Sequence, residues 1–292
     1  MLARMTRSTV AIVRARSAQI LDDVERVLEL AGLADAVAPG APVMLVPCVG
    51  SPFPFPAANT TPWQLEGAIR GLRARGAGAL SCAGVADDPL LRAYGVAGEA
   101  VAPTGAVLTV VLPTMKCDAV TTIAGATALA AGRAVFALMD GTTAGDGPGP
   151  RALRPVVKDV LLASTDPVAL DAIAATMMGF DPERIAHLRA AAAAGLGVLR
   201  RTDIDVVGDV ALAAQRWGFA IGGRVVDRLR ERTAGGPLAT LVARGADAYR
   251  ELRWPLHDRG VFDHWREATS WGRLFERYAA LGALAAPGDR AS

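Results

Sequence analysis

The chain of 292 residues is 52% hydrophobic and has a mean hydropathy of +0.30, which is enough apolar sequence for one large folded body or two small ones. Its formal net charge is only +2 and its basic residues are scattered, which excludes the basic block expected of a nucleic-acid surface. Arg14 and Arg16 interrupt the first apolar run, and no later run is long enough to cross a bilayer, so we expect no membrane partner and a cytoplasmic location.

The first 210 residues alternate apolar segments of strand length with segments of helical period. The predicted strands are 9–15, 42–49, 78–82, 105–113, 134–140, 157–164 and 203–209. The predicted helices are 17–33, with Ser17 as its N-cap, 62–75, 167–180 and 182–197. A Thr/Ala/Gly segment covers 120–132, and the glycines and prolines of 141–155 predict a loop.

This alternation predicts an α/β fold with a mostly parallel sheet flanked by helices. From residue 211 the pattern becomes helical, ending in the segment "WREATSWGRLFERYAALGAL". We therefore predict an α/β body over 1–210 and a helical C-terminal cap over 211–292, packed on that body.

Ligands of open α/β sheets bind beyond the carboxyl ends of the strands, where the loops converge. The candidate site is therefore expected in the loops that follow the predicted strands. The candidates for substrate binding are Cys48, Asn59, Thr60, Cys117, Gly145, Gly147, Ser164 and Asp166, and those for catalysis are Lys116, Asp140 and Asp171.

Asp171 is the least expected of these residues, because the helix around it is apolar on every side. A carboxylate taken out of water without a partner costs several kcal/mol or stays protonated. Lys116 and Lys158 are the only lysines among 31 basic residues, and Lys116 is the nearer candidate for a partner. Asp171 is thus either a carboxylate that orients a lysine or ligand, or a structural group satisfied by loop amides.

Several other candidates have structural explanations. Asp166 precedes a proline at a predicted helix start, so we predict that it is an N-cap. The glycines of 141–155 could approach an anion, but they match no phosphate-binding motif. Cys48 and Cys117 could be nucleophiles, although a buried free cysteine is usually a small hydrophobe.

Metal and cofactor sites have weak sequence support. The cysteines are too few and too widely spaced for an iron–sulfur cluster or a CxxC site, and no nucleotide fingerprint is present, so no cofactor is expected. The three histidines, His187, His257 and His264, lie outside the predicted loops and lack metal-ligand spacing. A hard cation held by Asp140, Asp146 and Asp171 is left open.

The run "DGTTAGDGPGPR", followed by "LLASTDPVALDAIAATMMGFDPERI" and "GLG", resembles the domain of unknown function 362 (DUF362) family. The segment "SWGRLFERY" resembles the usual ending of that family. The similarity covers most of the chain and is strongest over 138–209. It implies little about activity, because the family is largely uncharacterised, and the ferredoxin-like cysteine motifs of some relatives are missing here.

The chain departs from the family pattern at three places. Cys48 replaces the asparagine of a usual Lys-Pro-Asn segment, and Thr61 replaces the histidine of Thr-Thr-His-Pro. Of the usual Pro-Lys-x-Lys-Thr-His, the chain reads Pro113-Thr114-Met115-Lys116-Cys117-Asp118, so only the second lysine matches. These changes indicate that the chemistry usual in the family is altered or lost.

Two functions follow from these patterns. The first is a small-molecule enzyme, of lyase, isomerase or cyclase type, that acts on an apolar metabolite through lysine and carboxylate groups. The second is a non-catalytic binding or accessory protein that kept the fold and lost the chemistry. In both cases the expected partner is a small molecule, and a homodimer is left open.

Overall fold

A computed structural model of the protein describes residues 7–84, 88–99, 105–116, 120–147, 153–220 and 253–280. Its central element is a nine-stranded sheet. The strands are β1 (Ser8–Arg14), β2 (Val43–Pro47), β3 (Leu80–Ala83), β4 (Ala97–Glu99), β5 (Leu108–Leu112), β6 (Thr114–Lys116), β7 (Ala134–Asp146), β8 (Arg154–Ser164) and β9 (Ile204–Gly208). The α-helices are α1 (Ile20–Leu30), α2 (Leu33–Ala36), α3 (Pro62–Ala74), α4 (Pro89–Ala93), α5 (Val120–Ala130), α6 (Pro167–Met178), α7 (Ala186–Ala193), α8 (Arg259–Ala268) and α9 (Ser270–Ala280).

The strand order is β4-β3-β2-β5-β7-β8-β1-β9, and β6 pairs with β7 beyond this path. Neighbouring strands are parallel except at β8, which is antiparallel to both β7 and β1. The predicted α/β class is confirmed, with the correction that the sheet is mixed rather than wholly parallel. The direction of β8 reverses because the connection from Asp146 to Arg154 is too short for the crossover that a parallel pair needs.

The predicted loop over 141–155 is wrong for 141–146 and 154–155, which are strand, whereas 148–152 lie outside the described residues. β7 continues to Asp146 and β8 begins at Arg154, so that Gly145 pairs with Pro155 across a β-ribbon. The glycines that suggested a loop serve packing instead. A Cβ on Gly145 would lie 2.8 Å from a methyl carbon of Leu153, and one on Gly141 would lie 2.6 Å from a methyl carbon of Val160.

Two helix predictions also need correction. α1 begins at Ile20 with Gln19 at the N-cap position, so Ser17 does not cap it. The helix predicted over 182–197 is shorter than expected. A 3₁₀ turn covers Pro182–Arg184, and α7 covers only Ala186–Ala193. The Thr/Ala/Gly segment at 120–132 forms α5.

Helices cover the sheet on both faces. One core contains Val13 and Val24 together with Trp63 of α3 and Trp271 of α9. The other face packs on α6 through residues such as Ile173. Alternate side chains of one strand enter opposite cores, as Ile12 and Val13 do, because successive side chains of a strand point to opposite faces.

The C-terminal helices are attached by aromatic side chains that end in polar atoms. The Trp271 Nε1 donates to Asp159 Oδ1 at 2.7 Å, and the Trp265 Nε1 donates to Thr143 Oγ1 at 3.0 Å. The Tyr278 hydroxyl donates to the Glu66 carboxylate on α3. The predicted helical character of the C-terminal region is therefore confirmed for most of 253–280, whereas a 3₁₀ turn over Val210–Ala214 is the extent of helix in 211–220 and 221–252 lie outside the described residues.

Within the parts of the chain that the structure describes, no helix is both long enough and apolar enough to span a membrane.

Replacing Trp271 by Phe tests the attachment of α9. Trp271→Phe keeps an aromatic ring in the core but removes the hydrogen bond to Asp159, and we expect the free energy of unfolding to fall by about 1–3 kcal/mol. Urea unfolding measures the change. The matched control is Trp217→Phe, whose Nε1 bonds to the exposed Gln215 at 3.0 Å and whose loss should have a smaller effect. Equal losses in both variants would contradict this account.

Candidate functional site

Asp140 lies at the carboxyl edge of the sheet and is only 1% exposed. One oxygen, Oδ2, accepts hydrogen bonds from Thr61 Oγ1 at 2.5 Å and from Trp63 Nε1 at 2.8 Å. The other, Oδ1, accepts from the Thr142 amide at 2.6 Å. Burial raises the pKa of the Asp140 carboxyl, and these three donors oppose the rise. Asp140 is thus a buried structural acceptor that fixes the start of α3 on β7.

The neighbouring side chains extend this network to β2 and β5. Thr60 Oγ1 donates to the Leu112 carbonyl at 2.5 Å and accepts from the Cys48 amide at 2.7 Å. Gln64, which is fully buried, donates from Nε2 to the Pro113 carbonyl at 2.8 Å. The α3 N-terminus therefore sets the position of the chain that follows β2 and β5, including Cys48.

Lys116 lies on β6 and is 5% exposed. Its Nζ lies 2.7 Å from Thr114 Oγ1 and 3.0 Å from Cys48 Sγ. The thiol in turn points at the Ala58 carbonyl, with Sγ 3.7 Å from the oxygen. The structure thus brings together Lys116 and Cys48, which are 68 residues apart in the sequence.

A cavity of about 430 Å³ opens on the other side of Lys116, between β6, β7, α6 and α7. Its polar lining includes Lys116, Asp171, Arg184 and His187. The apolar lining includes Met139, Met178, Phe180, Ile185 and Leu188. This volume lies within the range of small-molecule sites, and a mainly apolar wall with a few polar groups is typical of them. We call this space the lysine cavity.

Asp171 sits in α6 and is 9% exposed, which agrees with the apolar surroundings predicted for that helix. Its Oδ2 accepts a hydrogen bond from Thr122 Oγ1 of α5 at 2.6 Å. The carboxylate therefore has a structural partner and also lines the lysine cavity together with Lys116. The observed partner is a hydroxyl on a helix rather than the loop amides that the sequence suggested, and the pairing of Asp171 with Lys116 stays a prediction.

His187 and Arg184 line the lysine cavity, although neither was among the predicted site residues. They lie in the segment after α6, whereas the site was predicted from the loops that follow strands. Arg184 ends a 3₁₀ turn, Ile185 is extended, and His187 lies in α7, so no helical spacing in the sequence would have identified the two side chains together.

A second cavity, of about 290 Å³, lies at the ends of β2 and β3 and is lined by Cys48, Asn59, Thr60 and Asp88 among others. We call it the cysteine cavity. Asn59 and Thr60 also make local bonds: the Asn59 amide group donates to the Phe53 carbonyl at 2.8 Å. Three predicted binding residues are therefore grouped here, separate from the lining of the lysine cavity. Asp140 lines neither of the two cavities.

Ser164 and Asp166 do not join either group, because β8 is antiparallel and ends near the amino-terminal side of β1. Asp166 caps α6 as predicted, accepting from the amides of Val168 and Ala169 at 2.9 Å each. It also accepts from Ser8 Oγ and from the Val198 amide. Ser164 Oγ donates to the Thr9 carbonyl at 2.6 Å.

The remaining candidates are placed by the β-ribbon. Gly145 lies within β7, and Gly147 follows it with a φ of 123°. Cys117 lies outside the described residues. The described parts of the chain contain no group of three or more His, Cys, Asp or Glu side chains that could hold a metal ion, so Asp140, Asp146 and Asp171 do not form such a group.

Residues 114–176 match the model of a family described as Domain of unknown function (DUF362). The matched segment begins at β6, contains Lys116, and ends in α6 after Asp171. It confirms the predicted resemblance: over this segment, which is less than half of the chain, the sequence is similar to the DUF362 family. No curated protein and no solved structure matches the chain.

The effect of burial on Asp140 predicts a pH dependence of stability. Because its pKa is raised by folding, the folded state holds this proton more tightly than the unfolded state, and stability falls as pH rises through the folded pKa. Asparagine does not titrate. We therefore expect wild type to lose stability relative to Asp140→Asn as pH rises from 4 to 8, measured by urea unfolding.

The control for Asp140 has the opposite sign. The Arg14 amide and the Arg26 guanidinium lower the pKa of Asp209, so its contribution to stability is present at neutral pH and is lost as pH falls. Wild type should therefore lose stability relative to Asp209→Asn on acidification. A difference between wild type and Asp140→Asn that stays constant with pH would exclude the titration of Asp140.

The burial of Asp171 predicts different tolerance for two apolar substitutions. Both Asp171→Leu and Asp171→Ala leave the Thr122 hydroxyl without its acceptor, but leucine fills the space and can extend into the lysine cavity. We expect Asp171→Leu to be more stable than Asp171→Ala by about 1 kcal/mol or more. Thermal melts of both variants decide the question, and equal melting temperatures would show that the site is not packed as described.

Proposed function

We propose that the protein is a small-molecule enzyme of lyase, isomerase or cyclase type that acts on an apolar substrate in the lysine cavity. The observation that supports this proposal is the composition of that cavity. One lysine and one carboxylate, both nearly buried, face about 430 Å³ of otherwise mainly apolar space. Such groups cost folding free energy when buried, and sites with this composition are frequently functional.

The proposed chemistry is a proton transfer next to a carbonyl group. Lys116 would donate a hydrogen bond to the carbonyl oxygen and stabilise the negative charge that develops there. Asp171 would accept or return the proton, while Thr122 orients its carboxylate through the 2.6 Å hydrogen bond. In a cavity with apolar walls, these charges act with little screening by water.

The rim of the cavity suggests how the substrate is oriented. Arg184 is exposed and His187 is half-buried, whereas Lys116 and Asp171 lie deeper. A guanidinium at the entrance can bind a carboxylate or another anionic group in a bidentate way. The favoured substrate therefore has an apolar body with a carbonyl group at its inner end and a polar or anionic group at its outer end.

The alternative is a non-catalytic binding protein, and one observation favours it. Thr61 stands where the family pattern has a histidine, and its hydroxyl is used to hold Asp140. A position that supplies a titratable side chain in relatives thus has a structural role here. Such a protein would bind an apolar molecule in the same cavity without turning it over.

Hydrogen exchange of a simple ketone separates these two functions. In heavy water, we expect the protein to accelerate the loss of the NMR signal of the α-protons of 4-phenyl-2-butanone. Lys116→Arg and Asp171→Asn should each reduce this acceleration at least tenfold, because each loses a group that contacts the reacting atoms. Binding of 8-anilinonaphthalene-1-sulfonate, an apolar anion, is followed in parallel by fluorescence.

Lys158→Arg is the matched control. Lys158 lies over the rings of Trp217 and Phe219, with its Nζ 4.8 and 5.5 Å from their centroids, and does not line the lysine cavity. Arginine can keep this cation–π contact, so exchange should match that of wild type. Binding of the fluorescent anion without exchange would support the binding protein, and exchange unaffected by Lys116→Arg would refute the proposed role of the lysine.

A further inference from the structure

The proposed function does not use the contact between Lys116 and Cys48. Lys116 Nζ lies 3.0 Å from Cys48 Sγ, and both side chains are 5% exposed. The lysine lines one cavity and the cysteine lines the other. A small solute that enters the cysteine cavity therefore meets Cys48, whose sulfur atom is in contact with the Lys116 amine.

We propose that Cys48 and Lys116 form an oxidative modification site, at which a peroxide oxidises the thiol and the product condenses with the lysine to give a covalent sulfenamide link.

The reaction balances with one equivalent of hydrogen peroxide. In the first step the Cys48 thiol is oxidised by two electrons to a sulfenic acid, the peroxide O–O bond breaks, and one water leaves. In the second step the amine nitrogen of Lys116 attacks the sulfur, an S–N bond forms and the S–O bond breaks. The hydroxyl group leaves as a second water with one proton from the nitrogen, so the linked protein has lost two hydrogen atoms in total.

Hydrogen bonds at both residues hold the Cys48 sulfur and the Lys116 nitrogen close together. The Cys48 amide donates to Thr60 Oγ1 at 2.7 Å, which fixes the end of β2 against the start of α3. The Lys116 amine is held by Thr114 Oγ1 at 2.7 Å. Little rearrangement is needed for attack, because proximity of this kind turns the condensation into an intramolecular step.

Cys82 provides an internal comparison. It lies on β3, is fully buried and lines neither cavity. Burial, with a smaller contribution from the charge of Asp88, raises the pKa of the Cys82 thiol to about 12. Since the thiolate is the form that peroxide oxidises, Cys82 should be inert under conditions that modify Cys48.

Formation of the link would remove the amine of Lys116 from the lysine cavity. This consequence rests on the proposed function, whereas the link itself does not. A thiol reductant cleaves the S–N bond and restores both side chains, so the modification is reversible. The chemical class of the reagent is a small peroxide, and the product is a protein with an internal cross-link between Cys48, directly after β2, and Lys116 of β6.

The experiment treats the full chain with hydrogen peroxide at neutral pH and maps its peptides by mass spectrometry, with and without dithiothreitol. We expect a linked pair of peptides that contain Cys48 and Lys116, two hydrogens lighter than their sum, with fragment ions that identify both residues. Reduction should abolish the pair. The link should persist in Cys82→Ser and in Cys117→Ser, and the second of these variants excludes a disulfide with Cys117.

Two further variants test the lysine. In Cys48→Ser no link should form, and in Lys116→Arg the sulfenic acid should accumulate and be trapped by dimedone. Two results would overturn the proposal. One is a wild-type protein in which Cys48 is oxidised while the Lys116 peptide stays unlinked. The other is a link that carries an additional oxygen atom. Direct mapping of wild type keeps the test decisive even if a variant folds poorly. It also separates this inference from the proposed function, because it needs no turnover.

Discussion

The Asp140 carboxylate determines the geometry of the carboxyl edge of the sheet. It is buried at the edge and accepts from two side chains at the start of α3 and from one amide of its own strand. A buried carboxylate with fewer donors would carry a large desolvation cost. The N-terminus of α3 is therefore held next to Asp140, where it supplies two of the donors. Thr60 and Gln64 then connect the same helix end to β5. The position of Cys48 follows from this arrangement.

The single antiparallel strand β8 decides how the candidate residues are distributed. It returns from the ribbon toward the amino side of the parallel strands, and α6 then runs back past the sheet. Ser164 and Asp166 are thereby used to start the helix, while Asp171 is carried to the cavity that Lys116 lines. Lys116 in turn contacts Cys48 of the neighbouring cavity. One lysine therefore connects two spaces that sequence reasoning treated as one site.

The features that the sequence predicted correctly are those that depend on local pattern. Alternation of apolar strands and helices identified the α/β class, and a carboxylate before Pro167 identified the cap of α6. The apolar run around Asp171 predicted its burial. The ribbon of β7 and β8 was missed because Gly141 and Gly145 are typical of loops in isolation. Glycine is needed at these positions because Val160 and Leu153 approach the backbone closely. A local sequence pattern does not reveal such a contact.

The sequence by itself determined the fold class, the helix cap, the burial of Asp171 and the resemblance to a family, because each depends on short stretches of residues and their periodicity. The tertiary structure alone decided which side chains meet. Strand direction separated Ser164 and Asp166 from the cavities, and the return of the chain after α6 brought His187 into one of them. The contact of Lys116 with Cys48 spans 68 residues and arises from strand order and from the α3 N-terminus. Such contacts depend on long-range packing, for which a single sequence carries no periodic signal.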